Sequence, residues 1–101
     1  MSVDTIRKHL DKAELLTQLA EEAAELAQAA LKLRRVYTGK NTTPVTEKEA
    51  LDNLVEEMAD VSVCLRVLNI DTPEITAKCK QIMNKKLERW AARLEGGTED
   101  G

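Results

Sequence analysis

A chain of 101 residues with 43% hydrophobic, 33% charged and 2% aromatic residues is sized and composed for one helical domain, and offers little to build strands from. The net charge of −3 argues against a general nucleic-acid binder. With no apolar run of membrane-span length and no signal-peptide core in MSVDTIRKHLDK, the sequence predicts a cytoplasmic protein with no nucleic-acid or membrane partner.

Cys64 and Cys79 are too few for a disulfide framework and read as reduced core thiols. His9 stands alone near the N-terminus, with no Ser/His/Asp or Cys/His set around it, and reads as a surface residue. The lack of paired His or Cys ligands also disfavours zinc.

The predicted elements are four helices. Asp4 to about Val36 contains no Gly or Pro, and the favoured division is a short helix to Leu10 and a longer one capped near Asp11. Thr38 to Val45, with Gly39, Asn41 and Pro44, is an exposed loop. Thr46 and Glu49 form a capping box that opens a helix to about Asn69. Thr72 at the N-cap and Pro73 at the first helical position start the last helix, which runs to about Leu94 before a frayed EGGTEDG tail. The fold class is therefore all-α, a bundle of about four helices, and a chain this short is expected to complete its core by oligomerisation.

The second, third and fourth helices each have an apolar stripe, and acidic residues interrupt or border two of them. In the second helix Leu15, Leu19, Leu26, Ala30 and Leu33 share a stripe that includes Glu22, with Glu25 on its flank and Glu21 turned towards solvent. In the third helix Leu51, Leu54, Val55, Met58, Val61, Leu65 and Leu68 form the stripe, with Glu57 at its edge. Asp60 lies away from it, but Val63, Cys64 and Val67 surround it one turn later, which implies burial on more than one side. The fourth stripe is Ile75, Cys79, Ile82, Met83, Leu87, Trp90 and Leu94, with Lys86 in its middle and Arg89 and Arg93 at its border.

A spacing of three residues sets Glu22 and Glu25, and likewise Glu57 and Asp60, about 60° apart on one helix face. Acidic helices of this kind are commonly solvated faces laced with salt bridges. A Glu on an apolar stripe and an Asp in an apolar girdle need more: a buried ion pair, a proton, or a hard divalent cation such as Mg²⁺ or Mn²⁺. Lys86 either runs its stem along the stripe or pairs with an acid, or it reaches a phosphate oxygen together with Arg89. Asn84 lies on a different part of that helix surface.

EEAAE (Glu21 to Glu25), then EEMAD (Glu56 to Asp60), then NKKLER (Asn84 to Arg89) resemble, in order and in the helix that bears each, the all-α nucleoside triphosphate pyrophosphohydrolases of the MazG type. The resemblance covers roughly Leu15 to Trp90. It implies a MazG-like domain over residues 1–95 with a flexible tail at 96–101, a homodimer or homotetramer, and metal-dependent cleavage of an NTP or dNTP to the monophosphate and pyrophosphate. By the same resemblance Glu22, Glu25, Glu57 and Asp60 hold Mg²⁺ or Mn²⁺, Lys86 and Arg89 contact phosphate, and Asn84 contacts substrate or orders a loop. Glu21 or Glu22 orients or deprotonates the attacking water. Tyr37 and Trp90 are the two aromatics and read as core or helix-end residues rather than base platforms, so base and sugar preference stay open. The alternative from another class is a non-catalytic helical oligomerisation module, or a nucleotide- or metal-binding module, with the same fold.

Overall fold

The computed structural model describes residues 2–40 and 44–96, and these form α1 (Ser2–His9), α2 (Lys12–Thr38), α3 (Glu47–Val67) and α4 (Pro73–Leu94). Asn41 of the expected loop and the tail from Gly97 lie outside the described residues. The expected break between α1 and α2 is present, and its cause is local. Asp11 accepts a hydrogen bond from the Glu14 amide at 2.7 Å, and the Glu14 carboxylate accepts one from the Asp11 amide at 2.9 Å. These reciprocal bonds satisfy donors that the first turn of α2 cannot pair internally.

The same device opens α3, where the Thr46 hydroxyl and the Glu49 carboxylate each accept from the other residue's amide at 3.1 Å. Thr72 caps α4 through the Ile75 amide, with Pro73 in the first turn. Gly39 closes α2 at φ 71°, so that its own N–H reaches the Val36 carbonyl and that of Lys40 reaches the Arg35 carbonyl. That paired closure needs a left-handed residue, which glycine adopts without a Cβ penalty.

The chain divides into two compact units, residues 1–69 and 70–101. In the first, α2 and α3 pack as an antiparallel pair, because positions nearer the end of α2 meet positions nearer the start of α3. Leu15 and Ala29 of α2 and Ala50, Cys64 and Val67 of α3 are its buried apolar residues, Ala50 being 0% exposed. Half-buried Leu19, Leu26, Leu33, Leu54, Val61 and Leu65 surround them.

Two expectations about the stripes need correction. Ala29 is buried where Ala30 was expected. On α3, Leu51, Val55 and Met58 are exposed, Val55 by 54% and Met58 by 52%, while Leu54, Val61, Leu65 and Leu68 of the expected stripe are half-buried and the inward face also takes in Ala50, Asn53, Glu57, Asp60, Cys64 and Val67. The reason is that α3 is apolar on two sides. The side that meets α2 mixes apolar residues with small and polar ones such as Ala50, Asn53 and Glu57, so hydrophobic periodicity alone favours the other.

α1 is too short to be stable alone, and Arg7 ties it to the end of α3. Arg7 donates from Nε to the Val67 carbonyl at 2.8 Å and from Nη2 to the Arg66 carbonyl at 3.0 Å, placing a cation at the negative end of α3. Arg7→Ala is therefore expected to lower stability by about 1–2 kcal/mol, from two charge-assisted hydrogen bonds and the helix-end charge. Amide hydrogen exchange checks it, with the loss of protection concentrated in Ser2–His9.

In the second unit α4 is exposed along its whole length, including the apolar stripe from Ile75 to Leu94. Cys79 is accordingly exposed rather than a core thiol, while Cys64 is buried as expected. Among the described residues no helix is long and apolar enough to cross a membrane.

Candidate functional site

The pairing of α2 with α3 brings the two acidic pairs into one cluster. Glu22, Glu25, Glu57 and Asp60 each present one carboxylate oxygen such that all four oxygens lie within 4.8 Å of one another. Glu22, Glu57 and Asp60 are half-buried and Glu25 is exposed, so one side of the cluster opens to solvent. Asp60, off the expected α3 stripe but expected to be buried, is half-buried in the cluster.

Within the cluster the hydrogen bonding is incomplete. Gln18 Nε2 donates to Glu22 Oε1 at 2.8 Å. Glu22 Oε2 and Glu57 Oε2 are covered from solvent and have no hydrogen-bond donor among the described residues. Covered carboxylate oxygens without a donor are rare and unfavourable, and here two of them face two further carboxylates. Such a donor set, all oxygen, anionic and convergent, suits a hard divalent cation of the Mg²⁺ or Mn²⁺ kind.

The electrostatics agree. Burial raises the Glu22 carboxyl above the usual range, the bond from Gln18 opposes this, and the charges of Glu25 and Asp60 raise it further. Burial also raises Glu57, reinforced by Glu25, Asp60 and Glu22. The Cys64 thiol is raised by burial and then by Glu22 and Asp60.

The sign of the consequence for pH depends on the state. In the metal-free protein, groups with raised folded values disfavour the fold when ionised. That penalty is complete above their folded values and is lost as pH falls through them towards the unfolded value. Metal binding needs both groups ionised, so it weakens over the same interval. The expected result is that acidification from neutral pH shrinks the gap in melting temperature between metal-loaded and metal-free protein, starting above the normal carboxylate range. Glu57→Gln flattens the contribution of that residue, as parallel thermal melts would show.

The other anticipated residues lie elsewhere. Glu21 is exposed on α2, next in the chain to Glu22 but outside the four-acid set. Asn84, Lys86 and Arg89 are exposed on α4, in the second unit. His9 is exposed, with Nδ1 2.9 Å from the Thr5 carbonyl oxygen.

A cavity of about 310 Å³ that the sequence reading missed adjoins the cluster. Glu25 and Glu57 belong to both, and Gln28, Ala29, Lys32, Arg35 and Asn53 complete its lining. The signal was present in the spacing: Lys32 and Arg35 follow Glu25 by seven and ten residues, on the same side of α2.

The chain matches no family model, no curated protein and no solved structure in these three comparisons.

Proposed function

We propose that this protein is a divalent-metal-dependent nucleotide pyrophosphohydrolase, cleaving an NTP or dNTP to the monophosphate and pyrophosphate. The observation that carries the reading is the convergence of Glu22, Glu25, Glu57 and Asp60 within 4.8 Å, with two covered oxygens that have no donor. The order of the EEAAE, EEMAD and NKKLER segments, which resembles the MazG type, supplies the reaction class.

Glu22, Glu25, Glu57 and Asp60 would hold Mg²⁺ or Mn²⁺, which would supply charge neutralisation for the phosphate chain and Lewis acidity for water activation. The protein's own residues do the rest. With Glu22 proposed as a ligand, we assign Glu21, the neighbouring acid, to accept a proton from the attacking water. The water oxygen bonds to the α-phosphorus, the bond from that phosphorus to the α–β bridging oxygen breaks, and its electron pair leaves with pyrophosphate. Lys86 and Arg89 are assigned to the phosphates, and Asn84 to the substrate or to loop ordering.

The fold is proposed to work as a homodimer or homotetramer in the cytoplasm. Exposed Leu51, Val55 and Met58 on α3 and the exposed stripe Ile82, Met83, Leu87 and Trp90 on α4 support assembly, because runs of large apolar side chains in water favour association. The same exposed stripe favours a second reading, a helical assembly module that binds metal without chemistry.

The experiment is a pyrophosphate-release assay over the ribo- and deoxyribonucleoside triphosphates with Mg²⁺ and with Mn²⁺. Release from one or a few nucleotides supports the enzyme and identifies its base. A folded protein whose melting temperature rises with metal while every nucleotide stays intact is the module instead.

A further inference from the structure

We infer that the cavity beside the acidic cluster is an anion subsite in which Lys32 and Arg35 of α2 hold the phosphate chain of the substrate. The inference rests on the proposed reaction for its substrate class, and goes beyond it by assigning a binding role to residues outside all three motifs.

The cavity's lining decides what it can accept. At about 310 Å³ it sits at the lower limit of small-molecule pockets, roughly 300–1,000 Å³, which suits part of a nucleotide rather than the whole. Ala29 is the single apolar residue of the lining, and no aromatic is present, so a base would find neither a stacking face nor an apolar wall. Two cations and the amides of Gln28 and Asn53 offer donors instead. Phosphate oxygens are the acceptors that match such a set, and an Arg fork can take two at once.

Neither cation is already neutralised. Among the described residues neither Lys32 nor Arg35 is in a salt bridge, and the ion pair of this region is Lys48 with Asp52 at 2.7 Å. Lys32 lies within electrostatic reach of Glu49, but that carboxylate is committed to the Thr46 amide in the α3 capping box. The opposite end of the cavity is formed by Glu25 and Glu57 of the four-acid cluster. Lys32 follows Glu25 by about 10 Å along the helix axis, and its long stem can shorten that distance. A polyphosphate entering here meets acids suited to a cation at one end and, at the other, cations that are in no salt bridge. Its charge is thus matched along its length.

The test is isothermal titration of inorganic tripolyphosphate into the full chain with Mn²⁺ in excess of both. It compares wild type, Lys32→Gln, Arg35→Gln, the double variant and the charge-conserving Lys32→Arg. Lys32 is half-buried and Arg35 exposed, so the variants are expected to fold, which circular dichroism and thermal melts verify. The expected result is a several-fold weaker affinity for each Gln variant, at least about tenfold for the double variant, and near wild-type affinity for Lys32→Arg. Wild-type affinity in the double variant overturns the inference. So does a wild type that does not bind tripolyphosphate. The reaction itself is tested apart, by pyrophosphate release: binding that depends on Lys32 and Arg35 in a protein that hydrolyses nothing leaves the subsite standing and sinks the hydrolase reading.

Discussion

Asp60→Asn is expected to reduce metal-dependent pyrophosphate release by at least about a hundredfold and to remove the metal-induced rise in melting temperature. Outer groups that merely orient a metal's ligands already change affinity or activity 10–100-fold, and Asp60 is assigned to contact the metal itself, so that range is the floor. The accompanying effect has the opposite sign. Asp60 raises the carboxyls of both Glu22 and Glu57, so replacing its charge by a neutral amide relieves repulsion in the metal-free protein. The metal-free variant should melt at or above the wild-type temperature. An active variant, or one markedly less stable without metal, would falsify the four-acid site, because either result makes Asp60 a structural residue instead.

Ala50→Leu is the substitution with the largest expected effect on the fold. Ala50 is 0% exposed, and Ala29 on α2 is 3% exposed, so the interface of α2 with α3 is built on small side chains. A Leu at position 50 has no space without moving one helix away from the other, and overpacking of this kind costs typically 1–3 kcal/mol. The shift reaches the site as well, since two of the clustered acids come from each helix. Denaturant titration should give a lower midpoint, and calorimetry on the folded fraction a weaker affinity for Mn²⁺. Exposed Met58, two residues before Asp60 and on the outer side of α3, is the control: Met58→Ala should leave metal affinity unchanged.

Where the signals are local, the sequence was readable. Asp11, the Thr46–Glu49 box and the Thr72–Pro73 pair each act within three residues of their own position, so the helix starts followed directly from composition. The acidic pairs were legible because a period of 3.6 fixes which residues share a face. What could not be read was which face of α3 meets α2. That choice turns on Ala50, Asn53 and Cys64, whose weak hydropathy is overridden by Leu51, Val55 and Met58 on the outer side. The link from Arg7 to the end of α3 spans about sixty positions and leaves no periodic trace. Lys32 and Arg35 were missed for a related reason, because their significance lies in the cavity that Asn53 and Glu57 of the other helix complete.

All four clustered acids sit well inside their helices, at least ten residues from the start of α2 or α3 and at least seven from the end. An acid at a helix tip can relax by unwinding a turn, and can borrow a free amide there. Neither route exists mid-helix, where every amide is already paired along the axis. Beyond proton uptake and turning of the side chains, relief of the mutual repulsion in the metal-free protein is left to whole helices moving as rods. An ion held by the four acids would act as a clasp on the pair, and its removal should be felt as breathing of α2 against α3 rather than as fraying at their ends.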